Sequence, residues 1–143
     1  MIYIDTSALA KRYIHEPTSE RFDQFVANTA DDFMLTPLTV TELASALRKR
    51  LRAGEFDAAY LKRAEAAFDR DLRDALWTVQ PVEPTAFEAA SRLIRELDAP
   101  LAALDAIHLA SALGYGCTGV ATSDRQMTRA ARLCDLDVYD FSS

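Results

Sequence analysis

Met1-Ile2-Tyr3-Ile4-Asp5-Thr6-Ser7-Ala8-Leu9-Ala10-Lys11 begins the chain, and its character changes at Asp5. Ile2, Tyr3 and Ile4 favour a strand, whereas Ala8 to Lys11 favour a helix. The stretch therefore reads as a strand handing over to a helix, with an acid at the strand's carboxyl end. In open α/β sheets ligands bind in the crevice outside those ends, so Asp5 is placed where chemistry occurs. Capping explains the same residues without chemistry, because Asp, Thr and Ser all satisfy the free N–H groups of a helix. The rest of the chain decides between these readings.

Working outward, the pattern of strand and helix repeats. Pro17 ends the first helix by about Glu16, and a second helix follows over 18–28 with Phe22, Phe25 and Val26 on one face. Phe33 to Thr36 reads as a strand closed by Pro37. Thr39 to Arg52 is an amphipathic helix stopped by Gly54, and Glu55 to about Leu76 is a long charged one; the two are expected to form a helical hairpin. Trp77 to Val79 is a short strand, and Pro84 opens a helix to about Asp98. Leu104 to Tyr115 should be a buried helix, Val120 to Thr122 a strand, 126–134 a helix, and Val138 to Phe141 an edge strand. Such alternation predicts an α/β fold: a parallel sheet with helices on both faces, in one domain spanning 1–143.

Composition narrows the function. Half of the 143 residues are apolar and only four Gly and five Pro occur, which excludes a disordered chain. No apolar run approaches a membrane span and no signal peptide is evident, so a cytoplasmic protein is expected. Cys117 and Cys134 form no metal or staple pattern and read as reduced thiols. The net charge of -6 argues against a nucleic-acid partner, but it is unevenly spread: residues 1–52 carry seven basic and seven acidic side chains. Arg48, Lys49, Arg50 and Arg52 make a basic cluster there, which is either a solvated helix face or the border of a site.

Four acids share one kind of position. Asp5 and Asp124 terminate strands, while Glu42 and Asp105 lie in the first turns of helices. Each has a capping explanation: Thr39 with Glu42 fits a capping box, and Asp105 and Asp124 precede helical residues. Against capping, Glu42 and Asp105 sit beside apolar stretches, where an ionised group without a partner is costly. Gathered in one crevice the acids would repel each other unless a cation binds, and an oxygen-only cluster suits Mg²⁺ or Mn²⁺. His108, three residues after Asp105 on the same side of its helix, reads as a packing or supporting residue.

The ordered motifs Ile4-Asp5-Thr6-Ser7-Ala8-Leu9, Leu38-Thr39-Val40-Thr41-Glu42-Leu43, Leu104-Asp105-Ala106-Ile107-His108-Leu109-Ala110 and Ala121-Thr122-Ser123-Asp124-Arg125 resemble those of the PIN-domain ribonucleases, and most of all the VapC toxins of bacterial toxin–antitoxin pairs. The resemblance covers essentially the whole chain. It implies an α/β/α sandwich of PIN type, and a metal-dependent endoribonuclease whose Asp5, Glu42, Asp105 and Asp124 coordinate Mg²⁺ or Mn²⁺. By position it makes Ser7 and Thr122 supporting polar residues. It further implies an RNA substrate, a cognate antitoxin and a homodimer. Lys11, Arg12, Arg48 and Arg52 are the candidate contacts for RNA or antitoxin, and the apolar residues of the hairpin are the candidate dimer face. The chain departs from expectation in its acidity, though the four site acids account for four of its negative charges.

The chemistry these residues permit is metal-assisted phosphodiester hydrolysis. No Ser-His-Asp or Cys-His arrangement competes. Two alternatives stand beside it: a non-catalytic interaction module on the same fold, and a phosphatase using Asp5 as nucleophile. The dehalogenase-like form of the latter would want an Asp at position 7, where this chain has Ser7.

Overall fold

Ile2, Tyr3 and Ile4 have no exposed surface, as befits a strand with neighbours on both edges and helices on both faces. The computed structural model describes residues 1–143. In chain order the first half comprises β1 (Ile2–Ile4), α1 (Thr6–Tyr13), α2 (Ser19–Asn28), β2 (Phe33–Leu35), α3 (Pro37–Arg52) and α4 (Ala58–Arg73). The second comprises β3 (Trp77–Val79), α5 (Pro84–Glu96), α6 (Ala103–Gly114), β4 (Gly119–Thr122), α7 (Arg125–Leu133) and β5 (Asp137–Asp140). All five strands are parallel, in the order β3-β2-β1-β4-β5. The chain moves outward from β1 through β2 to β3, then returns to the other side of β1. The direction of winding reverses between β1 and β4, which puts the ligand-binding crevice at their carboxyl ends.

Side-chain alternation along β1 divides the core. Ile2 and Ile4 point into the larger cluster with Leu9, Phe22, Leu43 and Phe68, beneath α1 to α4. Tyr3 points to the opposite face, among Leu109, Val120 and Met127 of α6, β4 and α7. The expected hairpin is present as α3 and α4, but its apolar residues are not spare surface. Leu43, Leu47, Leu61 and Phe68 are buried in the main core, and Leu51, Phe56 and Tyr60 pack against it. The larger exposed apolar side chains lie elsewhere, notably Phe87 (56%) and Ile94 (44%) on α5.

The start of α3 bears on the acids. Its capping box joins Thr36 and Thr39, with Pro37 preset for the first turn, so the helix begins two residues before Thr39 and Glu42 has no part in the cap. Helix α4 begins at Ala58 because the Asp57 side chain accepts from the Tyr60 N–H at 2.8 Å. A polar cluster ties this helix to the core. The Asp71 carboxylate accepts from Arg12 Nε at 2.7 Å and from the Tyr13 hydroxyl at 2.6 Å, and Tyr13 in turn accepts from Trp77 Nε1 at 2.8 Å.

Candidate active site

The Asp5 backbone occupies the N-cap position of α1, yet its side chain caps nothing. Asp5 is instead buried at 3% exposure, with Oδ2 accepting from Ser7 Oγ at 2.7 Å and Thr122 Oγ1 at 2.8 Å. Both hydroxyls are themselves held. Ser7 Oγ accepts from the Ser123 N–H, and Thr122 Oγ1 from the Asp124 N–H. The backbone N–H of Asp5 continues the ladder to Ala121 O, so β1 and β4 fix the carboxylate between them. Oδ1 takes part in no hydrogen bond; the nearest cationic candidate is His108 Nε2, 3.9 Å away.

Glu42 reaches the same place from α3. Its Oε1 accepts from Thr6 Oγ1 at 3.0 Å and is bonded to His108 Nε2. The other ring nitrogen of His108, Nδ1, lies 2.5 Å from the Tyr3 hydroxyl, which also touches Thr36 and Thr39. His108 is thus a fully buried bridge between β1 and Glu42, a specific form of the supporting role open to it in the sequence. Burial works against the Glu42 charge, but the hydrogen bond and charge of His108 and the Thr6 hydroxyl outweigh it, so the carboxyl is held below its usual range. Burial likewise disfavours the imidazolium, and Glu42, Asp5 and Asp105 more than compensate, raising the His108 pKa.

Asp105 stands in the first turn of α6, caps nothing and has no hydrogen-bond partner. Burial first, then the charges of Asp5 and Asp124, push its carboxyl up to about 6. His108 Nε2, bonded to Glu42 and 3.9 Å from Asp5 Oδ1, brings those two acids to one place. Asp124 differs in that its Oδ1 does cap α7, accepting from the Met127 N–H at 2.8 Å.

In this side-chain arrangement no group of three or more His, Cys, Asp or Glu residues is set as a ready-made metal site. Glu42 leans on His108, and Asp124 on the start of α7. The chemistry of the donors nevertheless fits a hard cation. Asp5 Oδ1 has no hydrogen bond, the Asp105 anion is repelled by its neighbours, and every available donor is a carboxylate oxygen. Asp5, Glu42, Asp105 and Asp124 are the residues that could hold it.

The basic candidates are dispersed. Arg12 binds Asp71 and Asp23, Arg48 binds Glu65, Lys11 binds Glu16, and Arg52 makes no ion pair. Arg50, a member of the basic cluster but not one of the four contact candidates, pairs with Glu16 and Glu55 and lines the crevice beside Glu42. Its spacing was a usable signal, since Glu42, Ala46 and Arg50 share one face of α3.

A family model described as the PIN domain matches residues 2–133. Among solved structures, the chain is similar to FitAcB from Neisseria gonorrhoeae, with a TM-score of 0.75 and 20% identity over 98% of this chain and 97% of that one. It is also similar to VapC20 of Mycobacterium tuberculosis, described as a sarcin-ricin loop cleaving toxin, with a TM-score of 0.69 and 17% identity over 91% and 95%. A third is VapBC2 from Rickettsia felis bound to a DNA fragment from their promoter, with a TM-score of 0.68 and 13% identity over 99% of both chains. No curated protein sequence matches the chain.

Proposed function

The chain belongs to the PIN-domain family, and from that premise we propose that it is a metal-dependent endoribonuclease acting as the toxin of a toxin–antitoxin pair in the cytoplasm. The observation that carries this reading is the position of Asp5 at the carboxyl end of β1, its Oδ1 without a hydrogen bond and 3.9 Å from the His108 nitrogen that holds Glu42, while burial and the charges of Asp5 and Asp124 push the Asp105 carboxyl up. Uncompensated acids are costly to keep together unless a cation joins them. Asp5, Glu42, Asp105 and Asp124 hold Mg²⁺ or Mn²⁺ in this proposal. When bound, such a cation acidifies an attacking water and offsets charge on the phosphate oxygens.

The remaining residues orient the carboxylates. Ser7 and Thr122 both donate to Asp5 Oδ2, which leaves Oδ1 toward the crevice. His108 and Thr6 hold Glu42 Oε1 and leave Oε2 to the site. Incubation of mixed RNA with the purified protein tests the function directly. Cleavage should require Mg²⁺ or Mn²⁺ and stop with EDTA; cleavage that persists in EDTA rules the reading out.

His108→Ala removes a partner from both Glu42 and the Tyr3 hydroxyl. A group left unsatisfied in the interior costs about 1–3 kcal/mol, and loss of a residue that orients a metal-binding carboxylate lowers metal affinity or activity by roughly 10–100-fold. Titration of Mn²⁺ binding beside a thermal melt checks both effects; unchanged Mn²⁺ affinity would leave His108 a packing residue only.

A cognate antitoxin as partner is proposed from the relatives, of which VapBC2 was crystallised on promoter DNA. A homodimer is proposed too, on a different face from the hairpin. Phe87 and Ile94 are seven residues apart on α5 and form one exposed stripe. Light scattering at tens of micromolar should give a dimer, and Phe87→Glu with Ile94→Glu should give a folded monomer. A wild-type monomer at that concentration defeats the proposal.

A further inference from the structure

Resting on the nuclease reading above, we propose that Lys11 and Arg50 form a backbone-phosphate subsite for the RNA strand, which the Glu16 carboxylate occupies when RNA is absent. One Glu16 oxygen is bonded to Lys11 Nζ, and the other lies 2.5 Å from an Arg50 terminal nitrogen. An anionic group gripped through separate oxygens by an ammonium and a guanidinium is the arrangement a phosphate also takes. The Lys11 side chain is 11% exposed and that of Glu16 17%, so their contact is partly desolvated, while Arg50 at 36% keeps one side open to solvent.

The location of the trio argues for the substrate. A cavity of about 550 Å³ is lined by Ser7 and Glu42 of the acid site together with Lys11, Glu16 and Arg50. Lys11 is one turn beyond Ser7 on α1, and Arg50 is two turns beyond Glu42 on α3, rises of roughly 6 and 12 Å. The phosphate held there is accordingly a neighbour of the scissile one. A strand whose scissile phosphate meets Asp5 and Asp105 has this basic pair beside it. Arg12 and Arg48 do not line the cavity, and their ion pairs with Asp71 and Glu65 engage them elsewhere.

Glu16 is built to give way without unfolding its surroundings. Its backbone N–H donates to Ser19 Oγ at 2.9 Å, and its carbonyl accepts from the Ser19 N–H at 3.0 Å. The main chain is thereby pinned ahead of Pro17, and only the side chain has to swing aside. Arg50 keeps a second partner in Glu55 at 3.0 Å, which steadies the guanidinium during the exchange.

The test compares wild type, Lys11→Gln, Arg50→Gln and Glu16→Gln in Mn²⁺-dependent cleavage of a single-stranded RNA across a salt series. The first two should raise KM about five- to tenfold with kcat little changed, since the contact is made equally in ground and transition states. Each should also reduce the salt slope of binding by roughly 0.7, the contribution of one single-strand phosphate. Glu16→Gln should lower KM severalfold, a gain that no folding defect can mimic. If wild type cleaves RNA while all three variants keep its KM and salt slope, the subsite is wrong and the nuclease stands. A fall in kcat at constant KM also overturns it, by moving these residues into the reacting centre. Variants that keep their KM but lose binding of polyglutamate would assign the pair to an acidic protein segment instead. A wild type that neither binds nor cleaves RNA removes both proposals together.

Discussion

Asp5→Asn and Asp105→Asn proteins should each lose metal-dependent RNA cleavage by on the order of a hundredfold or more, while remaining folded. Each substitution keeps the shape of the side chain and deletes one anionic donor. A hundredfold corresponds to about 2.7 kcal/mol of lost transition-state stabilisation, within reach of a single weakened contribution to charge neutralisation. Stability should move the other way at Asp105. Its pKa of about 6 is raised above the usual value, so in metal-free protein its ionisation opposes folding as pH climbs through that value. Asp105→Asn removes that opposition and should melt at or above the wild-type temperature at pH 8. Asp124→Asn sharpens the comparison, because Asn still accepts from the Met127 N–H and preserves the cap. If Asp124 only caps α7, this variant keeps full activity; if it serves the metal, activity falls with stability unchanged. Full cleavage by Asp5→Asn would refute the metal-nuclease reading.

Much of this arrangement could be read along the chain, for a local reason. β1, β2 and β4 are short, mostly apolar runs that stop at a polar residue, so β1 and β4 announce both themselves and the acids that follow them. Asp105 stands in the first turn of its helix as expected, whereas Glu42, expected in a first turn too, lies in the second because α3 begins at Pro37. Errors arose where local signals were ambiguous. Pro37 reads equally as the end of a strand or the first residue of a helix, and the structure uses it as the second. Gly54 closes α3 as expected, but Asp57 rather than Glu55 sets the start of α4. The apolar wealth of α3 and α4 suggests an interface in the sequence because one sequence does not reveal how many partners a helix has. Helix α3 packs on the sheet, α1 and α4 at once, and this absorbs Leu43 and Leu47 completely. The bridge from Tyr3 through His108 to Glu42 joins residues up to 105 apart, and no local pattern carries that information.

Asp71→Ala should be among the most destabilising single substitutions in the protein, at about 3 kcal/mol, or on the order of 10 °C in melting temperature. Its carboxylate receives Arg12 and Tyr13, and Tyr13 receives Trp77, so one side chain joins α1, α4 and β3. Deletion leaves Arg12 only its exposed partner Asp23 and leaves the buried Tyr13 hydroxyl without an acceptor for its proton. The effect falls at the lower end for a broken buried pair, because the Arg12 side chain is 27% exposed and water offers partial relief. Burial opposes the Asp71 charge, but the hydrogen bonds from Arg12 and Tyr13 prevail and hold its pKa below the usual value near 4. The stability it contributes is therefore fully present at neutral pH and is lost as pH falls through the lowered pKa. Wild type should weaken steeply on that acid limb, and Asp71→Asn should show a flatter one. A double-mutant cycle with Arg12→Ala separates two roles for Arg12. Coupling above about 1 kcal/mol assigns it to the fold; coupling near zero would free it for RNA or an antitoxin.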